Sequence, residues 1–195
     1  LLKHHIQIMV LKKKFDSNKP FCLTKNIYLK LVNLKDAKYI FKLRTDKKLA
    51  QYLNPTSFIL KNQVEWMKLY FKRNQKKLEY YFKFQIKKNR KFYTFGVARI
   101  IKLSKNSFSF GSLIIEPNKP NWYAIECALA VYEFAFIIKN FKKNKMWIDL
   151  RNNKAIKFHK SLGAIETSRD NKQIYVDLSK KNYLKLKKKF SYFYN

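Results

Sequence analysis

A chain of 195 residues with 47% hydrophobic and 17% aromatic content can build one domain that buries roughly 70% of its unfolded surface, which excludes wholesale disorder. Its two cysteines, Cys22 and Cys127, lie far apart without metal-ligand spacing, so a disulfide or zinc framework is excluded and a reducing compartment is expected. The formal net charge of +32 favours anionic partners.

In chain order, residues 1–25 form a basic N-terminal extension with a turn-like cluster, Asp16-Ser17-Asn18-Lys19-Pro20. Ile27 to Val32 alternates as a strand does. Asp36 to Leu43 reads as a helix with Ala37, Ile40, Phe41 and Leu43 inward, and Lys47 to Leu53 continues helically until Asn54-Pro55 stops it. Gln63 to Arg73 is a second helix. Tyr80–Ile86, Tyr93–Leu103 and Ser107–Ile115 are strand candidates separated by turns. Trp122 to Lys139 is the longest helix. Its apolar part, Ala124 to Ile138, carries Glu126 and Glu133 and is too short to span a bilayer, so no transmembrane segment is expected. A strand at 146–150, a helix at 152–162 and strands near 164–168 and 173–178 follow, before a basic aromatic C-terminal tail, 179–195. This order predicts a mixed α/β sheet with helices on both faces. No Ala-x-Ala-like cleavage site follows the N-terminal apolar stretch, so a cytoplasmic location is expected.

The positive charge is nearly all Lys, with Arg only at positions 44, 73, 90, 99, 151 and 169. Lys, Asn, Ile, Phe and Tyr abound while Gly and Pro are scarce, the joint bias of A+T-rich codons. Residues 1–25 contribute +5 and residues 179–195 contribute +6, leaving +21 on the middle. A dedicated nucleic-acid binder concentrates its cations on one face or arm, so the charge reads first as solvated surface.

One stretch carries more: Arg151-Asn152-Asn153-Lys154-Ala155-Ile156-Lys157-Phe158-His159-Lys160-Ser161-Leu162-Gly163-Ala164. Asn is a favoured N-cap and Gly closes a helix without a Cβ clash, so this is a short capped helix between two strands. Its residue order also resembles the last motif of the GNAT acyl-CoA-dependent N-acetyltransferases. Tyr123-Ala124-Ile125-Glu126 through Tyr132-Glu133-Phe134-Ala135-Phe136 resembles a helix of the branch that includes ribosomal-protein N-terminal acetyltransferases. Leu43-Arg44-Thr45-Asp46, with Leu49 and Tyr52-Leu53, resembles the opening of that branch, and of bacterial acetyltransferases acting on amino sugars. The resemblance covers residues 26–178. It implies a GNAT-like mixed, mostly antiparallel central sheet, acetyl-CoA as acyl donor co-substrate, no metal, a small-molecule amine acceptor, and a monomer or homodimer.

Residue roles follow from the resemblance. Relatives place a Gly-rich loop at a helix N-terminus, where free N–H groups and the helix dipole meet the CoA pyrophosphate. Here Lys119-Pro120-Asn121-Trp122-Tyr123-Ala124 stands in that place, with Pro120 and Trp122 where glycines are usual. Pro120 removes one donor and Trp122 adds bulk; Lys119 offsets them as a point charge, or Pro120 simply opens a helix. The family's preceding strand splays to admit the pantetheine arm, which assigns Ile114 and Ile115 to the thioester; Asn152 and Phe158 match positions contacting CoA. Where many relatives have a Tyr acid, this chain has His159, which can donate a proton near neutral pH. Glu116 is the first candidate base, Glu126 the second and Asp149 the third. Arg44, Asp46, Tyr52, Thr56, Ser57, Gln63 and Trp66 are candidate acceptor-site residues. The acceptor is read as a nucleotide-linked amino sugar; the alternatives are a protein N-terminal amine, or a degenerate RNA- or ribosome-binding module.

Overall fold

A computed structural model describes residues 19–194. The alternating run gives strand β2 (Tyr28–Leu31), which turns Leu29 and Leu31 inward and pairs with a short β1 (Phe21–Cys22). Helices α1 (Ala37–Thr45) and α2 (Leu60–Gln75) follow, then β3 (Glu79–Lys88), β4 (Lys91–Lys102) and β5 (Ser107–Ile115). Helix α3 (Asn121–Tyr132) leads to β6 (Lys143–Asp149), α4 (Asn153–Ser161), β7 (Ile165–Arg169), β8 (Gln173–Ser179) and α5 (Lys180–Lys189). The eight strands lie in the order β1-β2-β3-β4-β5-β6-β8-β7. Every pairing is antiparallel except β5 with β6, so the mixed, mostly antiparallel sheet is as expected.

Strand β3 is buried continuously from Glu79 to Gln85, as a strand covered on both faces must be. On one face Tyr81, Val97 and Ile114 pack under α1 and α2 with Ile40, Leu43, Met67 and Tyr70. On the other, Phe82, Phe84, Phe95, Phe108 and Phe110 pack against α3. That helix is apolar all round and buried from Glu126 onward, the pattern of a central core helix. It continues as a π-helical turn over Glu133–Ile138, where the Lys139 N–H donates to Phe134 O at 2.9 Å. Residues 121–138 form the one described helix long and apolar enough to cross a membrane, and 72% of that window is buried in the protein.

Two expectations need correction. Residues 47–53 form turns, because Asp46 leaves the helix in an extended conformation and its carboxylate accepts from the Lys48 and Leu49 N–H groups, both at 2.9 Å. The sheet begins at Phe21, inside the expected N-terminal extension; residues 1–18 lie outside the described part. The basic aromatic C-terminal segment forms a helix that docks on the core. Tyr183, Leu186 and Phe193 are buried, and buried Glu133 accepts from the Tyr183 hydroxyl and from Lys187 Nζ at 2.8 Å.

Candidate active site

Strands β5 and β6 pair only at Ser107–Lys143 and Phe108–Asn144. Beyond that point the Phe110 N–H donates to the Asn144 side-chain Oδ1 at 3.0 Å, and the strands part. A bulge bends β5 away: its register against β4 shifts between Val97 and Arg99, and Ser112 takes φ 52°. Gly96 permits the close approach there, since a Cβ on it would lie 2.6 Å from Ile114 O. Gly111, Ile114 and Ile115 therefore stay paired to β4 around the bulge, while the β6-facing edge of 111–115 has no strand neighbour. An unpaired row of amides inside a sheet is a slot for an extended polar ligand. Ile114 is buried beneath this edge and Ile115 half-buried.

Helix α3 begins beside the end of β5. No side chain caps it, and Pro120 sits at its N-cap, so the first-turn N–H groups of Asn121 and Trp122 face outward from an uncapped positive end. Trp122 stacks on Phe193 at 6.2 Å and meets Tyr123 edge-on at 4.3 Å, so its bulk is taken up by the C-terminal segment. Ala124 follows in the same turn, half-buried. Lys119 Nζ lies 3.7 Å from Glu116 Oε2, close to this helix end. The slot and the uncapped helix end fit the two halves of an acyl-CoA, its amide-bearing arm and its pyrophosphate.

Glu116 sits where the fork opens. Its N–H donates to Phe95 O at 2.9 Å, which fixes the backbone, and the Tyr39 hydroxyl donates to Oε1 at 3.0 Å. Burial and the Glu116 charge push the Tyr39 phenol well up, so it stays protonated and acts only as a donor. The carboxylate is 33% exposed, open enough to meet a ligand and held from behind.

Across the fork, Asn152 Oδ1 accepts from the Ala155 N–H at 3.0 Å and caps α4. Phe158 packs on the core, and the His159 ring lies edge-on to Phe158 and Phe110 at 5.2 and 5.8 Å. His159 Nδ1 is 3.4 Å from the Tyr132 hydroxyl. Burial drives Tyr132 up and His159 down to about 4, so we assign the imidazole as neutral with its hydrogen on Nε2 and Nδ1 accepting. The expectation of a His159 proton donor near neutral pH is corrected on this ground: at pH 7 the imidazolium fraction is about one in a thousand.

Two other candidate bases also fall. Glu126 is fully buried, and its carboxylate accepts from the Asn26 N–H at 2.6 Å, Asn26 Nδ2 at 3.0 Å and the Ile27 N–H at 3.2 Å. It ties the core helix to the residues just before β2. Asp149 is held by Arg151 at 2.7 Å, whose hydrogen bonds pull its carboxyl down to about 2. Cys127 is wholly buried, and burial raises its thiol well up.

A pocket of about 300 Å³ opens between α1, α2 and the bulge. Of the expected acceptor residues, Arg44, Thr56, Ser57, Gln63 and Trp66 line it, whereas Asp46 and Tyr52 do not. Asp46 is spent on its turn, and Tyr52 lies near enough to Arg151 to favour that guanidinium's charge. Tyr39, Tyr81, Arg99 and Ser112 are site residues that the sequence did not single out. Tyr39 and Arg99 lie on regular elements dozens of residues from their site neighbours, and no local pattern marks them.

A β-sheet forked after two rungs, with a carboxylate at the fork and an open helix end beside it, defines an acyl-CoA-dependent transferase site. The sequence model of the acetyltransferase (GNAT) domain matches residues 26–165, and the chain belongs to that family, whose members use acetyl-CoA. Among solved structures, the chain is similar to FdhC, described as a nucleotide-linked sugar GNAT, at 30% identity and TM-score 0.80, covering 91% of this chain and 99% of that one. It is also similar in fold to spermidine N-acetyltransferase from Vibrio cholerae in complex with CoA and spermine, at 19% identity and TM-score 0.67, covering 82% and 98%. No curated protein sequence matches the chain.

Proposed function

We propose that the chain moves the acetyl group of acetyl-CoA directly to the primary amine of a nucleotide-linked amino sugar. The observation that carries this reading is the Glu116 carboxylate, held by Tyr39 at the opening of the β5–β6 fork. Bound acetyl-CoA supplies an activated thioester. The unpaired edge at 111–115 and Asn152 hold its extended arm, and Lys119 with the Asn121–Ala124 turn holds its phosphates. Phe158 closes the apolar wall behind the arm. Glu116 takes the proton that the attacking ammonium must lose, directly or through one water. Tyr39 orients that carboxylate and remains a neutral donor throughout. Neutral His159 donates an Nε2–H hydrogen bond to the departing sulfur, which leaves as the thiolate and takes up the second amine proton through water. The likeness to FdhC, at 30% identity over nearly the full length of both chains, supports the amino-sugar class of acceptor.

Glu116→Gln keeps the hydrogen-bond shape and removes the base. Turnover is expected to fall about 100-fold or more with acetyl-CoA affinity retained. Near-normal turnover at saturating substrate rejects Glu116 as the base.

A further inference from the structure

The pocket beside the fork holds an excess of positive charge that the protein itself does not neutralise. Arg44 donates from Nε to Thr56 Oγ1 at 3.0 Å and from Nη2 to Asn54 O at 2.7 Å, both neutral acceptors. It has no acidic partner among the described residues. Arg99, on the opposite wall, reaches Glu79 at 3.3 Å, but Glu79 already binds Arg73 at 2.5 Å. One carboxylate thus serves two guanidiniums while a third stands alone. Burial, and then the charge of Arg99, make the Arg44 guanidinium easier to deprotonate than usual, so the two cations feel each other. Gln63 lines the same pocket at 6% exposure, and its amide makes no hydrogen bond among the described residues. Half-buried like charges with an idle amide between them are costly unless a ligand anion completes the set. Guanidinium forks match phosphate oxygens well.

The pocket and Glu116 are built on the same two elements. Arg44 follows Tyr39 by five residues on α1, about 7.5 Å along the helix axis. Ser112 precedes Glu116 by four residues on β5, at most about 13 Å along the strand. The pocket and the carboxylate thus share α1 and the end of β5, near enough for one extended ligand to reach both.

We propose that Arg44 and Arg99 bind the phosphate carried by the acceptor, placing its amine at Glu116 and selecting phosphate-linked amino sugars over polyamines. This rests on the transferase reading above. A polyamine would set its own cations against an Arg44 with no acidic partner among the described residues and an Arg99 that shares one carboxylate, so the pocket discriminates by repulsion as well as attraction.

Calorimetric titration with uridine diphosphate, in the presence of excess CoA, tests the proposal on the full chain. Arg44→Gln is expected to weaken uridine diphosphate about 10-fold or more, and Arg44→Lys to recover part of that loss. Lys105→Gln, at the exposed β4–β5 turn, is expected to change affinity less than about twofold, and spermidine is expected to show no competition. Unchanged affinity in Arg44→Gln, or equal losses in Arg44→Gln and Lys105→Gln, overturns the pocket, because the lysine surface then collects phosphate unaided. CoA binding is read in the same samples: intact CoA affinity certifies the folded variant. If CoA fails to bind the wild type, the transferase reading falls separately, while the Arg44-dependence of uridine diphosphate binding still decides the pocket.

Discussion

Replacing His159 by phenylalanine isolates a half-buried imidazole whose protonation opposes folding. In the unfolded chain His159 titrates near its ordinary 6.5, whereas burial lowers it to about 4 in the fold. The unfolded state therefore takes up the proton first, and stability is full above about pH 6.5 and lost as pH falls toward 4. At about 1.4 kcal/mol per tenfold, that gap sets an upper figure of about 3 kcal/mol, reduced by whatever water reaches the ring edge. Urea unfolding midpoints at pH 7, 6, 5 and 4 for wild type and His159→Phe read it directly. Common titrations cancel in the difference, and loss of the Tyr132 contact adds only a constant offset. The wild type is expected to weaken relative to the variant by about 2–3 kcal/mol between pH 7 and 4. A difference that stays flat with pH refutes the neutral, half-buried imidazole, and with it the correction of its role.

Two further outcomes test the scaffold. Glu126→Ala strands the buried Ile27 N–H and removes the acceptor of the Asn26 N–H, and is expected to cost about 2–5 kcal/mol in urea unfolding, with turnover of the folded fraction within about threefold of wild type. A stable Glu126→Ala protein with little turnover would restore Glu126 as a chemical group. Gly96→Ala drives a Cβ to within 2.6 Å of Ile114 O, so it is expected to deform the bulge and weaken acetyl-CoA binding about 10-fold or more. Wild-type acetyl-CoA affinity in a folded Gly96→Ala protein would show that the fork does not depend on that close approach.

The elements that sequence revealed are those whose signals are local. The Asn152 cap, the apolar stripe of α4 and the strand alternation at β2 are all written within a dozen residues. Glu116 is a candidate from sequence because it follows a strand at a position that the family resemblance marks. What sequence hid is long-range. Tyr39 meets Glu116 across 77 residues, and the Arg44–Arg99 pocket closes only when α1, α2 and β4 pack together. His159 looked like a proton donor because its ordinary value lies near neutrality; the ring of Phe110 and the hydroxyl of Tyr132 that change this come from β5 and α3. Residues 47–53 misled for a different reason. Their composition suits a helix, yet Asp46 satisfies the next two amides itself and ends α1 there.

The central claim is direct acetyl transfer at the fork, and thiol release from acetyl-CoA measures it. With a nucleoside-diphosphate-linked amino sugar, wild-type protein is expected to release one CoA thiol per N-acetyl group formed. Acetyl-CoA alone should leave no acetylated protein in the mass spectrum. Absence of amine acetylation, despite tight acetyl-CoA binding and across a panel of such sugars, would contradict the account.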